Sequence, residues 1–158
     1  MGQYYKIVNL DKKQFLHPHK FGDGLKLLEF GGSGEGTMLG LAVLLANSNG
    51  RGSGDLHSDN PIIGSWAGDR IVVAGDYAEV TDKGEEVLAP ELHHITLYLQ
   101  AEEEANYGWE DISWKVLSAL ADAPHLQKQL RESILNSPLR NVVPPELKAK
   151  LMGESPAV

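Results

Sequence analysis

Apolar residues fall along this chain in two rhythms: short, strand-length clusters as far as Leu99, and four-residue helical spacing after it. In 3–9, Tyr4, Ile7 and Val8 stand among polar neighbours and lead into an Asn9-Leu10-Asp11-Lys12-Lys13 turn, which predicts an opening strand. Gln14-Phe15-Leu16-His17 predicts a hairpin partner, closed by Pro18 because proline has no N–H to give a ladder. The run 25–30 is too short to choose between strand and helix. Glycines interrupt 31–37, and 38–46 is apolar nearly all round, which predicts a buried helix with Ser33 or Thr37 near its N-cap.

Residues 47–60 are almost all Gly, Ser, Asn and Asp, the composition of an exposed loop. Beyond it, 62–66 and 70–74 predict two strands separated by Ala67-Gly68-Asp69, and 77–80 predicts a third. Ile95, Leu97 and Leu99 alternate with Thr96 and Tyr98, so 94–99 carries the clearest strand period. Helical spacing then takes over. Ile112, Val116 and Leu120 mark a helix over 109–120, with Glu110 and Asp111 expected in its first turn, where the dipole favours negative charge. Asp122 and Pro124 open another helix, with Leu126, Leu130 and Ile134 every four residues until Pro138, and 144–151 predicts a short third.

Strands before helices predict an α+β fold: an antiparallel-rich sheet from the N-terminal two thirds with one buried helix, then two or three amphipathic helices. Residues 1–152 are expected to make a single domain and 153–158 a frayed tail. A chain of 158 residues with an ordinary apolar fraction can bury a core without staples. With 22 acidic against 14 basic residues the net charge is -8, which disfavours nucleic acid as the main partner. The chain has no cysteine, which excludes disulfides, thiolate metal sites and a cysteine nucleophile. It shows neither an apolar run of membrane length nor a signal-peptide core, and the expected location is the cytoplasm.

The candidate chemistry lies in the loops. Glycines ahead of a helix make an anion site when the free N–H groups face a ligand, so Ser33, Gly34, Gly36 and Thr37, with Arg51 from the next loop, are the expected binders of a small anionic ligand. The spacing matches neither Gly-x-Gly-x-x-Gly nor a P-loop, and Glu35 would repel phosphate; a tight chain reversal is the plainer account. His17 and His19 at alternate positions, with Asp55, His57 and Asp59 at alternate positions, form a mixed oxygen and nitrogen set that suits a divalent metal. Loop histidines and turn-capping aspartates explain the same letters. The dipeptide Gly-Asp occurs four times, at 22–23, 54–55, 68–69 and 75–76, where chance predicts about one. No Gly-x-Ser-x-Gly or His-Glu-x-x-His pattern is present. Glu102-Glu103-Glu104 reads as a solvated face, and Tyr4, Tyr5, Trp66, Trp109 and Trp114 as core aromatics.

The stretches MGQYY at 1–5, HKFGDGLK at 19–26 and GSWAGDRIVVAGDY at 64–77 resemble those of a small family of uncharacterised microbial proteins. That resemblance implies a shared fold over the first half of the chain and supplies no catalytic residue. The functional expectation is therefore a non-enzymatic binding or regulatory domain, acting near 31–37 and 47–60 on a protein partner or a small anion. One alternative is a metal-assisted hydrolase of phosphoesters or nucleotides, with Asp69 or Asp76 as base. The other is a structural subunit that pairs with itself through Leu126, Leu130 and Ile134.

Overall fold

The computed structural model describes residues 2–50, 52, 54–86, 95–135 and 139–152. Strands β1 (Tyr5–Asn9) and β2 (Gln14–Leu16) form the expected hairpin, with Ile7 opposite Leu16 and Val8 opposite Phe15. Its turn is organised by the buried Asn9, whose Oδ1 accepts from the N–H groups of Asp11 and Lys12 while its Nδ2 donates to Asp69. That is the local bond through which asparagine favours turns. Strand β3 (Ile71–Gly75) lies antiparallel on the other side of β1, and a two-residue β4 (Glu110–Asp111) pairs parallel with β2. The order is β3-β1-β2-β4, mostly antiparallel as expected.

Adjacent residues of a strand face opposite ways, and both faces of β1 are covered. Ile7 and Leu16 enter a larger core with Phe21, Phe30, Leu44 and Trp66, and with residues from the helices α1 (Leu27–Gly31), α2 (Thr37–Leu45), α5 (Ser113–Leu120), α6 (Pro124–Leu135) and α7 (Pro145–Leu151). Val8, Phe15 and Ala74 enter a smaller one with Trp109 and with Leu97, Tyr98 and Ala101 of α3 (Leu97–Glu102), which runs into the short α4 (Glu104–Tyr107). The mixed α/β architecture is thus a sheet between two unequal helical layers.

Several elements differ from expectation. Residues 62–66 form consecutive turns instead of a strand. The N–H groups of Gly64 and Trp66 donate to the carbonyls of Val43 and Leu44, so this segment caps the last turn of α2, whose carbonyls have no helical partner. Gly64 takes φ of +75° to do so. Trp66 is fully buried, and its indole N–H donates to Gln14 Oε1 at 2.8 Å. Residues 77–80 are irregular because the ladder ends at Asp76, whose N–H meets Tyr4 O and whose carboxylate accepts from Tyr4 N–H.

The alternating stretch 94–99 is overturned where it is described. Leu97 opens a helix in which Leu97, Tyr98, Gln100 and Ala101 are buried and Leu99 is 45% exposed, a helical spacing. The buried Glu85 accepts from Leu97 N–H, satisfying one of the free donors of that helix start, and Gln100 is held between Ile95 O and the indole N–H of Trp109. The helix expected over 109–120 begins only at Ser113. Glu110 and Asp111 belong to β4, and the Asp111 carboxylate accepts from both the N–H and the hydroxyl of Ser113. The ambiguous 25–30 is helical from Leu27, and α6 and α7 lie where the spacing puts them. Residues 153–158 and Pro138 lie outside the described residues.

Candidate binding surface

At the glycine-rich turn the first helical donor is already met by a carboxylate of the chain itself. The carboxylate of Asp23 stands at the start of α2 and accepts from the N–H of Thr37 at 2.7 Å and from its hydroxyl at 2.6 Å. The chain therefore supplies its own anion where a small anionic ligand was one expectation, and a helix N-terminus is favourably occupied by a carboxylate. Gly36 is required by this contact, since a Cβ there would come within 2.3 Å of the Asp23 carboxylate. A Cβ at Gly34 would point into open space, and the hydroxyl of Ser33 donates to Phe30 O at 2.8 Å. Arg51, expected to complete the site, lies outside the described residues.

The proposed metal ligands go to different places. His17 caps the 3₁₀ turn Pro18–Phe21 at the end of β2, and its ring lies 5.5 Å from that of His19. Both rings are tied into the turn: His17 Nδ1 accepts from His19 N–H, and His19 Nδ1 donates to Asp23 O at 2.9 Å. Burial lowers the His17 pKa to about 4, with the charge of Lys6 acting in the same sense, so the ring is neutral at pH 7. Around it the buried Lys6 pairs with Glu102 beneath the Tyr98 ring, and Lys20 pairs with Asp111 at 2.6 Å. Asp55, His57 and Asp59 lie on the polar loop instead. Among the described residues no three His, Asp or Glu side chains gather as a metal group. Three of the four Gly-Asp carboxylates go to separate partners. Asp23, Asp69 and Asp76 bond respectively to Thr37, to Asn9 and Lys12, and to Tyr4, each ordering its own stretch of chain.

Among the described residues a small apolar hollow lies between α6 and α7, lined by Ile134, Val143 and Leu151, and wider, more polar depressions surround the loop expected to be exposed. Three depressions adjoin at 58–61. One, of about 360 Å³, is walled by Asn47, Asn49 and Ile63. A second, of about 610 Å³, lies between Gly50, His57 and Asp122. The third, of about 450 Å³, runs over Ile62 and Ile112 between Lys12 and Lys115. Ser58 and Asp59 are shared by the first two, and Asn60 and Pro61 by the first and third.

Side chains hold the ridge between these depressions. Asn49 accepts from Leu56 N–H and donates to Ser58 O, closing the loop across nine residues. Asn60 accepts from Ile62 N–H, and Ser58 Oγ accepts from Asn60 N–H. The Ser58 hydroxyl donates to Asp122 at 2.5 Å, and Asp122 also pairs with Lys150 of α7. Burial opposes ionisation of Asp122, but the bonds from Lys150 and Ser58 and the Lys150 charge outweigh it and hold the pKa below the usual carboxylate range. His57, at φ of +54°, turns its Nε2 onto Gly52 O at 2.6 Å; a carbonyl only accepts, so Nε2 donates.

Of the sequence candidates, His57 and Asp59 share one depression, and Asp55 helps form the turn beneath it through its bond to Gly52 O. Lys12, Gln14, Ser65, Lys115 and Asp122 were not singled out as binding residues, because nothing in their local spacing marks them. The hairpin, the turn at 62–66 and α5 bring the first four to one depression, and Asp122 lines another. No protein-family model, curated protein or solved structure matches the chain.

Proposed function

We propose that the protein is a binding or regulatory domain and that its ligand sits on the surface centred on 58–61. The observation that carries this reading is the meeting of three depressions at one ridge whose backbone is clamped by the side chains of Asn49, Ser58 and Asn60. A loop fixed before binding loses less conformational freedom when a ligand arrives, which is what recognition surfaces require.

The competing readings find less support. The Ser58 hydroxyl donates to Asp122 and not to the neighbouring His57 ring, so the serine–histidine pair that activates a serine nucleophile does not form here. The metal-assisted reading needs ligands that converge, and His17 and His19 are spent on their own turn. Self-pairing through α6 needs an open apolar stripe, whereas Leu130 and Ile134 are 1% exposed within the chain's own core.

The test is an amide NMR titration of the labelled protein with mixtures of small polar and amphipathic fragments. Saturable shifts confined to 47–62 and to the neighbours of Lys12, Ser65 and Lys115 are expected. Shifts that cluster elsewhere, or none with any mixture, overturn the reading.

A further inference from the structure

We propose that Asn49 is a site of self-deamidation, at which the chain's own backbone turns the asparagine into aspartate and isoaspartate and so releases the loop it clamps. The inference goes beyond the binding reading and does not depend on it. The sequence has one Asn-Gly step, at 49–50. Glycine lets the backbone nitrogen after an asparagine swing onto the side-chain carbonyl, because it has no side chain in the way. Here Gly50 is exposed, takes φ of +84°, and has open space where a Cβ would stand.

The loop arranges all three participants. The nucleophile is the Gly50 nitrogen, and no acceptor among the described residues holds its N–H. The electrophile is Asn49 Cγ, whose oxygen accepts from Leu56 N–H at 2.8 Å. A donor on that oxygen stabilises the negative charge that gathers there as the nitrogen adds. The leaving group carries Asn49 Nδ2, which is held only by a long 3.4 Å bond to Ser58 O. The other asparagines that organise turns are arranged against the reaction. Asn9 is buried, and the N–H of the following Leu10 is taken by Arg70 O at 2.9 Å. Asn60 is followed by Pro61, whose nitrogen has no proton to lose.

In the first step the Gly50 nitrogen bonds to Asn49 Cγ and the Cγ–Nδ2 bond breaks. The proton from Gly50 leaves with Nδ2 as ammonia, and a cyclic imide remains. Water then opens the ring without any gain or loss of electrons. Attack at Cγ leaves aspartate, and attack at the backbone carbonyl leaves isoaspartate, with the main chain rerouted through the side chain and longer by a methylene. Both products add a negative charge and lose the N–H that reaches Ser58 O, so an acceptor then faces an acceptor. Aspartate can keep the bond from Leu56 N–H, whereas the longer chain of isoaspartate carries the carbonyl out of register with both partners.

The experiment incubates the folded protein, and the same protein unfolded in urea, at mildly alkaline pH. It follows the mass of the peptide that carries Asn49 and separates aspartate from isoaspartate by chromatography. A gain of about 1 Da is expected at Asn49, with both products present, while Asn9 and Asn60 keep their mass in the folded protein. The folded rate should lie within about tenfold of the unfolded one and should rise with pH, because the Gly50 nitrogen must shed its proton to attack. A folded rate lower than that would show that the fold protects Asn49 and would overturn the site. Aspartate without isoaspartate would overturn the cyclic route. In the isolated isoaspartate form the Leu56 amide should exchange with solvent about tenfold faster than in the unmodified protein. Unchanged exchange would show that the loop does not rest on Asn49 and would overturn its release.

Discussion

The His17 ring is largely out of water, with the charges of Lys6, Lys20 and Asp111 around it, and its neutral form is the one the fold accepts. Unfolded, the ring titrates at its ordinary 6.5; folded, at about 4. The unfolded chain therefore takes up the proton first as pH falls. The contribution of His17 to stability is whole above pH 6.5 and is lost progressively towards pH 4. Allowing for the ring's partial exposure, the loss is about 2 kcal/mol. Urea denaturation of the wild type and of His17→Asn at pH 7.5 and 4.5 measures it. Asparagine keeps an acceptor for His19 N–H without the titration, so the wild type should lose about 2 kcal/mol more than the variant between the two conditions. Equal losses would show that His17 does not carry the dependence.

At the scale of elements, the start of α2 depends on a residue fourteen positions away. Asp23 accepts the N–H and hydroxyl of Thr37, while the N-cap position itself is held by Gly36, which has no side chain to give. Asp23→Ala should therefore cost about 1–2 kcal/mol in thermal or urea unfolding, and Asp23→Asn less, because an amide oxygen can still accept. Gly36→Ala should behave like loss of the cap, since its methyl group would displace the carboxylate. A full-stability Asp23→Ala would show that α2 needs no such cap. The same dependence on distant partners explains why 94–99 misleads. Alternation in Ile95, Leu97 and Leu99 is a strand signal only if one face is buried, and here Leu99 faces solvent while Tyr98 and Gln100 turn inward under Glu85 and Trp109.

Across the whole molecule, β1 is the partition between two cores. Ile7 and Val8 are consecutive and both fully buried, one in each cluster. The sheet couples the clusters, so they should unfold together. Ile7→Ala should cost about 2–5 kcal/mol and Val8→Ala somewhat less, each moving one and the same cooperative transition. Two separate transitions in either variant would mean that the α3 layer unfolds on its own.

Local chemistry made part of this readable from the sequence. The hairpin 5–16, the third sheet strand at 71–75 and the helices α6 and α7 follow from turn residues, proline and repeated spacing, and the α+β class follows from their order. The loop 47–60 was legible as an exposed loop because Gly, Ser, Asn and Asp cannot build a core. What only the tertiary structure decided is who meets whom. Asp23 meets the first donor of α2, 62–66 caps α2 instead of pairing as a strand, and Lys12, Gln14, Ser65 and Lys115 reach one groove from separate elements. The physical reason is that propensity and periodicity act over a few residues, whereas a cap, a groove or a shared carboxylate depends on contacts between positions tens of residues apart. Chain folding alone brings such positions together.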